Sequence, residues 1–185
     1  LKVQQLQTLA NAPRPDFPIK GAIILDPGKS SGALNEEIEV PVLVIHSHSW
    51  SRTHSLFSGR PHFSVVRELV QQVNERGHAA WFVTSIGTSH PSCTDAPLIE
   101  PLLLSWTTGA SIDVKEGVKQ YVDTSVEFIQ YLRSGKREGL LDEEVTHPEY
   151  DEDVRGEERK KEMGRMGEMW QIHVAPERGR QRRVG

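Results

Sequence analysis

Asp26 and His90 are the residues whose types and placement could do chemistry together. Asp26 closes the apolar run Gly21-Ala22-Ile23-Ile24-Leu25, and His90 follows another, Ala79-Ala80-Trp81-Phe82-Val83-Thr84-Ser85. Each run reads as a strand, and in an open parallel sheet ligand chemistry gathers outside the carboxyl ends of the strands. A carboxylate there can orient an imidazole and stabilise the imidazolium that forms during acyl transfer. A loop just past a strand suits a general base. Acid before histidine is the order of the last two members of a triad whose serine comes first in the chain. Taken singly, each residue has a plainer reading. Asp26-Pro27-Gly28 is a strong turn signal, and His90 is one of eight histidines. The ordered arrangement of strand, acid, strand, helix, strand and histidine raises the pair above those readings.

Other constellations compete less well. Gly28-Lys29-Ser30-Ser31-Gly32 formally satisfies G-x-S-x-G. A nucleophile elbow needs a strand directly before it and a substantial helix after it. Pro27 separates this match from its strand, and only a few residues precede the next apolar run. The match also follows the candidate acid, whereas the triad order places the serine earlier. Ser30 is therefore not expected to be a nucleophile, and no serine of this chain is assigned that role. The stretch is not a P-loop either, because Ile23 stands where the first glycine belongs. His46, His48 and His54, with His62 nearby, suggest metal, and His46 and His48 share a face if the strand continues. No carboxylate pair or cysteine stands at ligand spacing. A polar rim around an active site is the preferred reading, with no metal and no cofactor. The apolar cluster of Leu98, Ile99, Leu102, Leu103, Leu104 and Trp106 reads as core before it reads as a lipid-facing surface.

The elements that must position this chemistry follow from periodicity. Leu1 to Ala12 reads as the end of a helix, and Pro13, Pro15 and Pro18 impose a loop. Gly21–Leu25, Pro41–Ile45 and Ala79–Val83 are continuous apolar runs, as strands covered on both faces require. A polar loop rich in serine and histidine follows the second run. Phe63, Val66, Leu69, Val70 and Val73 recur at helical spacing, with Gly77 as the stop. Val114 to Leu132 reads as a long amphipathic helix with Val118, Tyr121, Val122, Ser125, Phe128, Ile129 and Leu132 on its inner face, ended by Gly135. Strand and helix in alternation predict an α/β protein with a mostly parallel sheet flanked by helices. Two regions are expected, a domain over residues 1–135 and a charged, partly disordered extension over 136–185. Within the extension, Trp170, Ile172 and Val174 alternate with polar residues and are expected to dock as a short extended segment.

Composition narrows the classes. The 185 residues suffice for one domain with a sizeable core, and 36% are hydrophobic. A mean hydropathy of -0.49 conceals an apolar first two-thirds and a polar last third. A formal net charge of -4 argues against electrostatically driven nucleic-acid binding. The single Cys93 excludes an internal disulfide framework and permits a reducing compartment. No apolar run is long enough to span a bilayer. The chain opens on Leu1 with no signal-peptide pattern. It reads as part of a longer product, with a cytoplasmic location as the expectation.

In sum of its short motifs, the chain resembles the carboxy-terminal half of a platelet-activating-factor acetylhydrolase of the fungal type, a family of α/β-hydrolases. Four pieces carry the resemblance. Lys20-Gly21-Ala22-Ile23-Ile24-Leu25-Asp26 ends on the residue that matches the family's catalytic acid. Pro41-Val42-Leu43-Val44-Ile45-His46-Ser47 matches the following core strand. Gly87-Thr88-Ser89-His90 matches the catalytic histidine, and Ile112-Asp113 with the helix to Leu132 matches the late helix. The likeness covers residues 1–135; Trp170-Gln171-Ile172-His173-Val174 is similar to a fungal extension. It implies hydrolysis of a short or oxidised sn-2 acyl group from phospholipids, without metal, and with transient contact at a membrane surface. It also implies a serine nucleophile, with His90 as base and Asp26 as its orienter. Without an elbow this chain is not expected to turn over substrate by that route. The alternatives are a non-catalytic binding or interaction module of the same ancestry, and a generic carboxylesterase or dienelactone-type hydrolase.

Overall fold

Three of the apolar runs are strands that lie side by side, and two of them are sealed on both faces. The computed structural model describes residues 19–27, 37–52, 56–57, 60–93, 111–151 and 167–178. Strand β1 (Ala22–Leu25) pairs in parallel with β2 (Val42–Ser47), with Ala22 opposite Val42. After the short helix α1 (His48–Arg52), β3 (Leu56–Phe57) and β4 (Arg60–Pro61) form a small antiparallel ladder. Helix α2 (His62–Glu75) then leads to β5 (Ala80–Ser85), which lies parallel to β2 with Val42 opposite Ala80. Helix α3 (Val114–Ser134) follows, and β6 (Trp170–Val174) closes the sheet antiparallel to β5. The spatial order is β1-β2-β5-β6, an open α/β sheet in which the first three strands are parallel.

Period-two alternation divides the core in two. Val42, Val44, Ala80 and Phe82 point to one face and pack with Phe63, Val66, Val70 and Val73 of α2. Leu43, Ile45, Trp81 and Val83 point to the other and pack with Tyr121, Phe128 and Tyr131 of α3. Each strand residue of β2 and β5 is buried, whereas those of β1 are half-buried, so β1 is the looser edge. Gly77 stops α2 with φ +91°. The Asn74 side chain then braces the turn by bonding both the N–H and the C=O of Ala80, at 2.9 and 2.8 Å. Asp113 caps α3 by accepting from the N–H groups of Lys115 and Glu116, and left-handed Gly135 ends it.

Helix α3 is turned differently from the sequence expectation. Its buried residues are Gly117, Gln120, Tyr121, Thr124, Phe128 and Tyr131, whereas Val122 and Ile129 are 52% and 48% exposed. Both stripes carry apolar residues at helical spacing. Aromatic rings bury roughly 150–250 Å² each, so the face carrying three of them outcompetes the valine and isoleucine stripe. The expected inner positions Val122 and Ile129 therefore belong to the outer surface.

The segment after residue 135 contributes directly to the core. Leu140 and Leu141 are buried against α3, and the Trp81 indole N–H donates to the Leu141 carbonyl at 3.1 Å. Trp170–Val174 docks as an extended segment, and all five of its residues are buried. The ladder slips between Phe82 and Val83, so His173 is an extra residue on β6. That bulge re-aims the strand and places Val174 opposite Phe82, on the α2 side of the sheet.

Candidate active site

Asp26 directly follows β1 and has φ +40°, a left-handed conformation that costs a non-glycine residue energy. Aspartate tolerates it better than most, and here the turn aims the side chain sideways across the end of β2. The Asp26 N–H stays bonded to the Ile45 carbonyl at 2.9 Å. Its Oδ1 accepts the backbone N–H of Ser47 at 2.6 Å. Its Oδ2 lies 3.1 Å from His90 Nδ1. The two residues come from positions on either side of β2, and they meet in front of it. The convergence expected from strand-end placement is present.

The two partners differ in exposure. The Asp26 side chain is fully buried, whereas 52% of the His90 side chain is accessible. Burial pushes the Asp26 carboxyl above its ordinary value, against the opposing pull of hydrogen bonds from Ser47 and His90. An acid with its lone pairs engaged in this way orients the imidazole instead of exchanging protons with solvent. The half-exposed histidine is the member that can exchange a proton with a substrate or nucleophile.

The residues between the strands hold His90 from behind. A polar loop was expected after β2, but the strand ends at Ser47 and His48 opens α1. His46 and His48 therefore do not share a strand face. Ser47 Oγ accepts the Trp50 N–H at 3.3 Å, which starts the helical turn. Ser49 Oγ accepts the His90 N–H at 3.2 Å, and the Ser49 N–H donates to the Thr88 carbonyl at 3.2 Å. The Trp50 ring stacks on the His90 ring with centroids 4.7 Å apart and planes 22° from parallel. Sequence reasoning did not single out Ser49 and Trp50 as neighbours of His90. The only signal was their place immediately after a strand that ends beside the candidate acid.

His173 and His46 are the ends of a sealed network on the α2 face. His173 Nδ1 lies 2.6 Å from the His147 carbonyl, which can only accept, so Nδ1 carries the proton. His173 Nε2 must then accept from the Thr84 hydroxyl at 2.7 Å. Thr84 Oγ1 accepts from Ser51 at 2.8 Å, and Ser51 Oγ accepts from His46 Nδ1 at 3.2 Å. The chain ends at His46 Nε2, a buried lone pair with no hydrogen-bond partner. Burial holds the His173 imidazole down to about 3, and desolvation, with the charges of His62 and His173, holds His46 well below its ordinary value. Both are neutral at neutral pH. His46 stacks on His62 at 5.3 Å, and His48 instead approaches the Tyr150 hydroxyl at 3.4 Å. Among the described residues, no three or more histidine, cysteine or acidic side chains gather as a metal site. Ser30, His54 and the Leu98–Trp106 cluster lie outside the described residues.

A broad open cleft lies away from this site. Lys20, Glu39, Asn74, His78, Arg133 and Arg137 line part of it, beside the amino ends of β2 and β5. It contains neither Asp26 nor His90, and its size does not make it the seat of the chemistry. Among the described residues, no helix is long and apolar enough to cross a membrane. No family model matches the chain, and comparison with curated proteins and with solved structures finds no match. The functional reading therefore rests on the pair itself.

Proposed function

We propose that the protein is a serine esterase of the platelet-activating-factor acetylhydrolase type, an α/β-hydrolase that removes a short or oxidised sn-2 acyl group from phospholipids. The observation that carries this reading is the contact of 3.1 Å between buried Asp26 and half-exposed His90 at the carboxyl ends of the parallel strands β1, β2 and β5. The half-buried edge strand β1 supports it as well, because a strand beside it would end next to this pair. The reading requires a serine outside residues 1–185, as a longer form of the protein would supply.

In that form, His90 Nε2 takes the proton as the serine oxygen attacks the ester carbonyl. Asp26 stabilises the resulting imidazolium through Nδ1–H. The tetrahedral intermediate collapses, the glycerol oxygen leaves, and His90 returns the proton to it. Water then attacks the acyl-serine with His90 again as base, releasing the carboxylic acid. No step requires a cofactor.

The test is acetate release from a short-acyl ether phospholipid by the longer protein, together with labelling by a fluorophosphonate. Turnover should vanish in His90→Ala, and the labelled serine should lie outside residues 1–185. Undiminished turnover in His90→Ala would refute the mechanism. Equal preference for a simple aryl acetate would shift the assignment to a generic carboxylesterase.

A further inference from the structure

The geometry points to Trp50 as a positioning residue that clamps the acid and the base together. This inference rests on the esterase reading for its functional meaning, but not for its structural test. The indole touches His90 and the residue that follows Asp26. Its Nε1–H donates to the Pro27 carbonyl at 3.2 Å, one residue beyond Asp26. Its ring lies flat against His90 at 4.7 Å. The Trp50 backbone is fixed in turn by the bond from its N–H to Ser47 Oγ, and Ser47 also holds the Asp26 carboxylate. One side chain thus spans from the turn that aims the acid to the ring that serves as base.

A stacked plate has three consequences for His90. First, turning the imidazole about its Cβ–Cγ bond sweeps the ring edge through the space the indole occupies. Nδ1 therefore stays toward Asp26, and Nε2 faces away from it. Second, an exposed histidine would otherwise sample several rotamers, and each lost rotamer shortens the search for the reactive geometry. Third, the negative face of the indole attracts a positively charged ring more than a neutral one. That attraction grows as the imidazolium forms. Trp50 also makes an edge contact with His62, with ring centroids 6.0 Å apart.

The structural arm uses the 185-residue chain, histidine-labelled with ¹⁵N and ¹³C, and reads His90 by NMR. In the native chain, His90 should show one tautomer with the proton on Nδ1, and ring protons shifted upfield by the indole. Trp50→Leu should lose the upfield shift and show a mixture of tautomers, while the methyl signals of Val42 and Val83 stay in place. Trp50→Phe keeps a ring against His90 but lacks the bond to Pro27, and should retain most of the shift and the single tautomer. Unchanged His90 signals in Trp50→Leu overturn the clamp. Equal loss in Trp50→Leu and Trp50→Phe overturns stacking as its basis.

The kinetic arm uses the longer, serine-bearing protein. Trp50→Leu should lower kcat by roughly ten- to a hundredfold, as misplacement of a catalytic group does, with KM little changed and partial rescue by phenylalanine. A fall confined to KM would make Trp50 a substrate-binding residue and overturn the positioning role. Turnover that survives His90→Ala would refute the esterase reading alone, because the tautomer measurement does not depend on it.

Discussion

The Asp26–His90 pair and the His173–Thr84–Ser51–His46 chain both hold histidines against one sheet, yet they are opposite in kind. The pair has a carboxylate, a backbone in the left-handed region and an imidazole half in solvent. The chain has no carboxylate, ends on a backbone carbonyl, and is sealed between α2 and the sheet. In the first, a proton can leave and return. In the second, the direction of each hydrogen bond is dictated by the one before it, and the imidazoles remain neutral. The role of a histidine here is thus decided by what its Nδ1 faces and whether water reaches the other side of the ring.

The largest expected effect separates activity from stability at the pair. In the serine-bearing protein, Asp26→Asn should reduce turnover by about four orders of magnitude, because an amide neither stabilises the imidazolium nor secures its tautomer. Stability should hold or rise. The buried carboxyl has a raised pKa, so ionising it costs the fold free energy, and the amide removes that cost. Urea midpoints of the two proteins at neutral pH measure this. A large loss of stability in Asp26→Asn would recast the pair as a structural bridge.

Acid should break the sealed chain first. The folded-state value of His173, about 3, lies below its ordinary 6.5. The unfolded chain therefore binds the proton first as pH falls. The contribution of neutral His173 is fully present above about 6.5, and it is lost progressively as pH falls toward about 3. A loss of roughly a few kcal/mol over this range is expected. Unfolding midpoints followed from pH 7 to pH 4 should fall, and the slope should be smaller in His173→Asn. Identical slopes would show that this network does not govern acid stability.

The smallest effect isolates one link. Thr84→Val preserves shape but strands the lone pair of His173 Nε2 and the proton of Ser51. It should cost about 1–3 kcal/mol, the penalty for buried polar groups left unsatisfied. Ser49→Ala, beside the exposed pair, should cost less, since water can replace the hydroxyl at the His90 N–H. Chemical denaturation of both variants measures the difference. Equal costs would erase the contrast between the sealed and the open histidines.

Much of this arrangement was legible in the residues, for physical reasons that are easy to name. Continuous apolar runs with no polar face must be covered on both sides, so Val42–Ile45 and Ala80–Val83 announce central parallel strands. A carboxylate ending one such run and a histidine following another fall at the same sheet edge once the strands are parallel. Chain order therefore implied the meeting of Asp26 and His90. The docking of Trp170–Val174 was legible in its alternation, but the antiparallel pairing and the bulge at His173 were not. A bulge depends on which partner residues are opposite, and that information is not local.

Sequence alone therefore determined the α/β class, the central strands, and the meeting of Asp26 with His90. These are short-range consequences of hydrophobic periodicity and of which residue ends a strand. Tertiary structure decided what periodicity leaves degenerate. On α3, two apolar stripes competed, and the aromatic stripe containing Tyr121, Phe128 and Tyr131 took the core. After β2, a run of serines and histidines became a helix that set Trp50 behind His90. Among the other histidines, only the fold determined that His173 faced a backbone carbonyl and His48 the Tyr150 hydroxyl. Those outcomes depend on contacts between residues far apart in the chain, where free energy is settled by burial and by the direction of hydrogen bonds rather than by local preference.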